Sequence, residues 1–408
     1  MKLQKDLQYY KFSLYGFLKN LRFFEPFLLL FFLANGISYT QIGLLFGLRE
    51  ILINVFEIPS GMFADTTGRR RTMVMSFAVY IAAFVVFYFS NGFWLFVVAM
   101  ILYALGDAFR SGVHKAMIFH YLDKHGWESQ KVNYYGHTRS WSQMGSALSA
   151  LIAGLIVFYQ GDYRSIFLFT IIPYVLDMLL LLSYPSWLDG EHKIPRWKHM
   201  KIQFTIVWRD FLLTFRSYHR IKAVLNVSVF SGFYKASREY LQAIIKNIAP
   251  LIPVLYGLEQ KDKISVIIGI TYFFIYIFSS QASRYSGRFA NKFKTLNLPL
   301  NITLIAGLMM GLIAGAGEII GIPLVAIVPF MLIIIIENLR KPMGVSHIAS
   351  LTNSRIHASV LSVTSQVKSL SAALMSILLG VFSDLVGVGY AFIIISAVFI
   401  ISSYFYRA

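Results

Sequence analysis

Long apolar runs alternate with short polar segments along the whole chain. A helix that crosses a membrane needs about 20 mostly apolar residues, and twelve runs of about that length or longer can be found. The first run is not followed by a small-residue cleavage site, so we expect it to remain as a helix. The pattern predicts twelve transmembrane helices, at residues 12–35, 40–63, 72–90, 93–121, 134–159, 163–184, 221–254, 264–283, 297–317, 321–351, 356–383 and 387–406.

The composition agrees with a membrane protein. Of the 408 residues, 57% are hydrophobic and 14% charged, whereas soluble domains average roughly 45–50% apolar and about 25% charged residues. This excludes a typical soluble enzyme, and an aromatic content of 16% excludes a disordered chain. The formal net charge of +18 would suggest nucleic-acid binding in a soluble protein. In a membrane protein its meaning depends on which side of the membrane the positive charges occupy.

The basic residues outside the apolar runs are distributed unevenly between the two sides of the membrane. If the N-terminus lies inside, 22 of them fall in inside segments and only Arg164, Lys261 and Lys263 fall outside. Lys and Arg are retained in short cytoplasmic loops, so we expect both termini in the cytoplasm of a multi-pass cell-membrane protein, in a bacterial inner membrane. The excess charge is then mostly topological, and no nucleic-acid partner is predicted.

The two halves of the chain share short sequence patterns. An acid-x-x-Arg pattern occurs in the fourth predicted helix and again in the tenth. Four residues of the first helix recur in the seventh, 216 residues later: Gly16, Phe17, Lys19 and Arg22 match Gly232, Phe233, Lys235 and Arg238. The repetition predicts a duplicated chain with a six-helix half at 1–184, a basic cytoplasmic linker at 185–220 and a second six-helix half at 221–408.

The loop after the second predicted helix carries a recognisable motif. It reads GMFADTTGRRR from Gly61 to Arg71, which resembles the Gly-x-x-x-Asp-x-x-Gly-Arg-Lys/Arg loop of the major facilitator superfamily. The resemblance implies an all-α integral membrane fold of twelve transmembrane helices in two pseudo-symmetric halves, and transport by alternating access.

In that family the loop latches the two halves together on the cytoplasmic side. The resemblance therefore assigns a latch role to Gly61, Asp65, Gly68 and Arg69, with Asp65 facing the N-terminal end of the eleventh helix near residues 353–357. The alternative is that the arginines of the loop only anchor it in the cytoplasm.

A second family element, an Arg in the fourth helix that is implicated in proton handling, is matched by Arg110. The fifth helix lacks the Gly-Pro run of drug–proton antiporters, which argues against that type.

Ionisable side chains lie inside the predicted spans. Twelve basic and seven acidic residues do so, and each is costly unless it faces the bundle interior or an aqueous cavity. Most of them belong to the first, fourth, seventh and tenth helices, which line the central cavity in the family that the chain resembles. We expect Arg49, Glu50 and Glu57 to support the second helix near the latch instead.

Spacings of three or four residues align many of these charges on helix faces. Basic residues outnumber acidic ones there, which favours an anionic substrate, since Arg pairs well with carboxylate or phosphate. The predicted substrate-binding residues are Lys19, Arg22, Arg110, Lys115, Arg139, Lys235, Arg238 and Arg340. The predicted proton-coupling acids are Glu25, Asp107, Glu239 and Glu337, because a buried carboxyl beside an arginine responds to opening and closing of the cavity. The alternative for each acid–Arg pair is a satisfied ion pair that holds helices in register.

We therefore predict a secondary transporter that moves a small, anionic solute, coupled to protons and functional as a monomer in the lipid bilayer. No Walker or hydrolase motif is found in the sequence, and we expect no enzyme activity, cofactor or metal. Two alternatives remain. One is a multidrug or amphipathic-compound exporter of the same superfamily, and the other is a non-transporting membrane receptor.

Overall fold

The computed structural model describes residues 4–190, 217–253, 257–351 and 357–407. Within these ranges the regular structure is helical throughout, as predicted. Most of the predicted linker, at 191–216, lies outside the described residues. The helices are α1 Leu7–Lys19, α2 Leu28–Ala34, α3 Tyr39–Thr67, α4 Arg69–Phe89, α5 Phe93–Arg110, α6 Val113–Lys124, α7 Lys131–Gln160, α8 Ser165–Leu182, α9 Tyr218–Ser237, α10 Leu241–Ile248, α11 Gln260–Ala290, α12 Asn297–Ile320, α13 Pro323–Ser350, α14 His357–Val386 and α15 Val388–Tyr406.

Helices cover all twelve predicted segments, but not all of these segments are uninterrupted apolar spans. Among the described residues, nine helices are long and apolar enough to cross a membrane. The three other segments are the first, the second and the seventh. The second is the long helix α3, which carries Arg49, Glu50 and Glu57 in its interior. The twelve spans thus remain a prediction, while the multi-pass helical architecture is confirmed.

The first and seventh segments are broken at corresponding positions. A short 3₁₀ turn, Glu25–Phe27, separates α1 from α2, and a second one, Arg238–Tyr240, separates α9 from α10. In the first segment Pro26 cannot donate a backbone hydrogen bond, which favours a break. Each break places charged side chains at the middle of a segment, where the cavity described below begins.

Polar contacts identify the two ends of the molecule. At one end Gln4 is bonded to Gln130 and Lys11 to the Ser183 carbonyl, and Asn226 donates to the Tyr406 carbonyl. We call this the terminal end, since both ends of the described chain lie there. At the opposite end, the far end, Arg164 donates to Asn35 and Asn91, at 2.8 and 2.7 Å.

Glycines permit close packing between the two halves near the far end. A Cβ on Gly154 of α7 would lie 2.9 Å from the Ser265 carbonyl oxygen of α11, and a Cβ on Gly43 of α3 would collide with the Ser376 backbone of α14. Above these contacts the Asp384 carboxylate accepts from the Tyr39 and Thr40 amides, at 2.9 and 2.7 Å. An acid at a helix N-terminus is stabilising, so α14 caps α3 and the halves are held together at this end.

Candidate functional site

A cavity of about 400 Å³ lies between α1, the α5–α6 turn and α7, toward the terminal end. Its described lining residues include four cations and no carboxylate. The cations are Lys19, Arg110, Lys115 and Arg139. We call this the cationic cavity, and it unites four of the eight residues that the sequence predicts to bind substrate.

Local sequence explains why these four side chains converge. A Cβ on Gly16 would lie 2.6 Å from the Ser142 hydroxyl oxygen, so α1 and α7 approach closely, bringing Lys19 toward Arg139. Between α5 and α6 the backbone of Gly112 has φ +75°, a left-handed value that glycine adopts readily. That turn lets Arg110 and Lys115, on two successive helices, line the same space.

The cations differ in how far their charge is already balanced. Arg110 donates to Asp107 at 2.8 Å, and Lys115 lies over the Phe119 and Tyr135 rings, at 5.3 and 5.6 Å from their centroids. Lys19 and Arg139 form no ion pair with the described part of the chain. The cavity therefore keeps uncompensated positive charge, which favours an anionic ligand.

One wall of the cationic cavity is aromatic. The Tyr15 and His114 rings are stacked with centroids 3.7 Å apart, and His114 Nε2 lies 3.4 Å from the Tyr184 hydroxyl oxygen. These contacts hold the rings in place between α1 and α6. A ligand in the cavity would meet a fixed flat surface beside the cations.

A second cavity, of about 240 Å³, adjoins the breaks in the first and seventh segments. It is lined by equal numbers of cations and carboxylates, so we call it the paired cavity. The cations are Arg22, Arg49, Lys235 and Arg238, and the carboxylates are Glu25, Glu50, Asp107 and Glu239.

The paired cavity connects the two halves. Arg238 forms an ion pair with Glu25, and the Lys235 ammonium lies 2.7 Å from Glu50. Gln242 adds three bonds across the same boundary, accepting from the Leu29 and Leu30 amides at 2.9 and 3.4 Å and donating to the Glu25 carbonyl at 3.0 Å. Any motion that separates the halves here must break these contacts.

Within each half, further ion pairs lie next to the bridging ones. Arg238 donates to Glu239 at 2.9 Å, and Arg49 lies 3.5 Å from Glu50. Asp107 is shared by Arg22, at 3.6 Å, and Arg110, and it also accepts from the Tyr80 hydroxyl. Asp107 thus links the paired cavity to the cationic one.

Two predicted site residues lie apart from both cavities. Arg340 is 3% exposed and donates to the Thr303 hydroxyl at 2.8 Å and to the Asn226 carbonyl and side-chain oxygens at 3.2 and 2.9 Å. Glu337 accepts from the Ser231 hydroxyl at 2.6 Å. Its donors are already used between α9, α12 and α13, so a role of Arg340 in selecting substrate stays a prediction.

The predicted latch loop makes its described polar contacts with the end of the N-terminal half, at the Tyr184 carbonyl, and with the first residues of the predicted linker. Asp189 accepts from the Arg70 and Arg71 amides, at 2.8 and 3.4 Å, and so caps α4. Gly68 has φ +101°, and a Cβ there would lie 2.8 Å from the Asp189 carboxylate. Beside it, Arg69 extends toward Gly190, and Gly61 and Asp65 are exposed. The expected partner segment at 353–356 lies outside the described residues, so the latch remains a prediction.

Sequence reasoning missed the role of Arg49 and Glu50. We expected them to support the helix near the latch, but they line the paired cavity, and Glu50 bonds Lys235 of the other half. The sequence did contain an indication of this role, because Glu50 lies in the middle of an apolar helix rather than near its end. Glu57, the third member of that group, is not among the lining residues of either cavity.

Comparison with known proteins gives one family match and several similar structures. The model of the Major Facilitator Superfamily matches residues 20–338. A relative, the uncharacterized MFS-type transporter YxaM of Bacillus subtilis (strain 168), is 29% identical over 175 residues. That match covers 42% of this chain and 40% of the relative's length.

Solved structures of transporters share the fold over nearly the full chain. The nucleoside transporter NupG has a TM-score of 0.78 at 10% identity, covering 98% of both chains. A POT family transporter in complex with 5-aminolevulinic acid has a TM-score of 0.75 at 15% identity, covering 97% of this chain and 94% of that one. These identities are too low to carry more than the fold.

Proposed function

This chain belongs to the Major Facilitator Superfamily, and from that premise we propose that it carries a small anionic solute across the membrane by alternating access. The observation that carries the proposal is the cationic cavity, where four basic side chains converge and no described lining residue is a carboxylate. A cavity with uncompensated positive charge gains most from a ligand of opposite charge.

The proposed roles follow from the geometry of the four cations. Arg139 and Lys19, which have no ion pair among the described residues, would bind the anionic group directly. Arg139 can do so through two parallel hydrogen bonds, which suits carboxylate and phosphate. Lys115 would add charge, and Arg110, already bonded to Asp107, would transmit binding to the paired cavity.

We also propose that transport is coupled to protons. Two ion pairs that connect the halves support this coupling: Arg238 with Glu25, and Lys235 with Glu50. A rocking motion would separate these charges, and a carboxylate that has lost its cation binds a proton more readily. The bond of Gln242 to the Glu25 backbone would position this carboxylate in the closed arrangement.

Arg139→Gln tests the anion proposal. Purified protein is screened for thermal stabilisation by phosphate, sulfate and simple carboxylates, and the best anion is then measured for binding and for uptake into proteoliposomes. We expect Arg139→Gln to weaken binding by about tenfold or more, the effect of one lost charge-assisted hydrogen bond. The matched control is Lys292→Gln, which removes one positive charge from an exposed loop and should leave binding unchanged. Stabilisation by lipophilic cations alone, with unaltered transport by Arg139→Gln, would contradict the proposal.

A further inference from the structure

A mostly apolar pocket of about 520 Å³ lies in the seam between the two halves. It is formed by α7 and α11 together with Phe17 of α1. Its lining includes Met144, Leu148 and Ile277, which are 59%, 42% and 37% exposed on helices that cross the membrane. These exposed apolar side chains leave the seam pocket open at the surface of the helices. Toward the far end it is closed, because Gly154 and Gly269 bring α7 and α11 into contact.

The seam pocket and the cationic cavity share a wall. Gln143 lines both of them, and Phe17 of the seam pocket directly follows Gly16 of the cationic cavity. On α7, Arg139 lines the cationic cavity and the apolar side chains Met144, Ala147 and Leu148 line the seam pocket, with Gln143 between them. A polar head and an apolar tail would thus have adjacent, chemically matched sites.

We propose that the solute is a single-chain amphipathic anion that enters sideways from the bilayer, with its head group in the cationic cavity and its alkyl chain in the seam pocket. This inference rests on the proposed function and names its substrate class. The head group is a compact phosphate or carboxylate, because both match the cations Lys19 and Arg139. The volume of the seam pocket, about 520 Å³, lies within the range of pockets that enclose small organic ligands.

The described lining of the seam pocket also contains one cation, Arg284, and the proposal gives it a role. Arg284 lines the seam pocket on α11, nearer the terminal end than Phe273 and Tyr276. An anionic head group that slides in from the membrane surface would meet Arg284 first and then reach Lys19 and Arg139. The alkyl chain would then lie against the apolar part of the lining, which includes Met144, Leu148 and Ile277.

The test uses the full chain in nanodiscs of uncharged lipid, with empty nanodiscs subtracted. Binding is measured by calorimetry for two pairs of ligands, phosphate with octyl phosphate and acetate with octanoate, which separate the two head groups. We expect the octyl ligand of at least one pair to bind at least tenfold more tightly than its short partner. Arg139→Gln should weaken both members of that pair.

Ala147→Phe isolates the seam pocket. Ala147 lines it and is 8% exposed, so the phenyl ring would fill space that the alkyl chain needs. We expect this variant to bind the short anion normally and to lose the tenfold gain of the octyl ligand. Ala82→Phe, at an exposed position of α4 that lines neither cavity, is the matched control and should keep that gain.

Two results would overturn the inference, and they have different meanings. If octyl and short anions bind equally well, the amphipathic substrate is wrong while the proposed anion transport stands. If neither pair binds but octyltrimethylammonium does, the cationic cavity does not select anions and the proposed function fails as well. An unaltered octyl gain in Ala147→Phe would show that the alkyl chain binds elsewhere, which also contradicts the inference.

Discussion

Arg139 and Arg340 are both basic side chains inside predicted transmembrane helices, yet their surroundings are different. Arg139 is exposed in the cationic cavity, whereas Arg340 is buried and bonded to Thr303 and Asn226. The sequence predicts that each lies on an inward-facing stripe, because helical spacing determines the face. It does not reveal which polar groups a distant helix brings to that face, so the two arginines could not be distinguished.

Arg340→Lys tests this difference at the level of one side chain. Lysine cannot donate from a planar fork to Thr303 and Asn226 together, so buried acceptors lose their partner. We expect the free energy of unfolding to fall by about 2 kcal/mol, seen as a lower midpoint of thermal unfolding in detergent, while anion affinity is unchanged. The neighbouring exposed residue offers the control Lys341→Arg, which should alter neither quantity. If Arg340→Lys keeps its normal stability but loses affinity for the anion, Arg340 would have a role in substrate binding.

At the scale of elements, α3 is bounded by two carboxylates with different environments. Asp384 of α14 caps its first residues, through the Tyr39 and Thr40 amides, whereas Asp65 near its last turn is exposed. The sequence pattern located α3 well but gave no indication of the cap, because Asp384 is distant along the chain. The breaks at Glu25 and Arg238 were also missed, since both fall within otherwise apolar runs.

Asp384→Ala tests whether this cap stabilises the closed far end. The contact is exposed and worth about 1 kcal/mol at most, so its loss would change the ratio of closed to open molecules by about fivefold. The chain contains no cysteine, which lets spin labels be placed on two introduced cysteines, Trp94→Cys and Leu324→Cys, at exposed far-end positions of the two halves. We expect the distance distribution between them to gain a longer component. Asp162→Ala, in a far-end loop within one half, is the control and should leave the distance distribution unaltered. An unaltered distribution in Asp384→Ala would show that the cap does not stabilise the closed far end.

At the scale of the whole molecule, the contacts between the halves differ between the far end and the middle. Near the far end they pack through glycines such as Gly43 and Gly154, and at the middle they are joined by charged pairs. Hydrophobic periodicity and loop charges were sufficient to predict the helical architecture. They could not predict that Glu50 pairs with Lys235, because such a contact exists only after the halves have docked.

Glu25→Gln tests proton coupling for the assembled transporter. The amide keeps the size of the side chain but cannot bind a proton in exchange for the Arg238 ion pair. We expect uptake driven by an imposed pH gradient to fall at least tenfold in proteoliposomes, while exchange of labelled for unlabelled solute continues. Glu128→Gln, which removes an exposed acid outside both cavities, should retain both activities. Equal losses of gradient-driven uptake and exchange in Glu25→Gln would indicate a structural role instead.

The uncompensated charge of the cationic cavity also has an electrical consequence. An empty cavity carries Lys19 and Arg139 without a described ion-pair partner, whereas an anionic solute would cancel part of that charge. A charge that crosses the full membrane potential changes in energy by about 2.3 kcal/mol per 100 mV. In a transporter that works as proposed, a proton that travels with the anion would restore part of that charge, so the number of protons carried per anion would set how strongly voltage acts on the loaded step compared with the return of the empty protein.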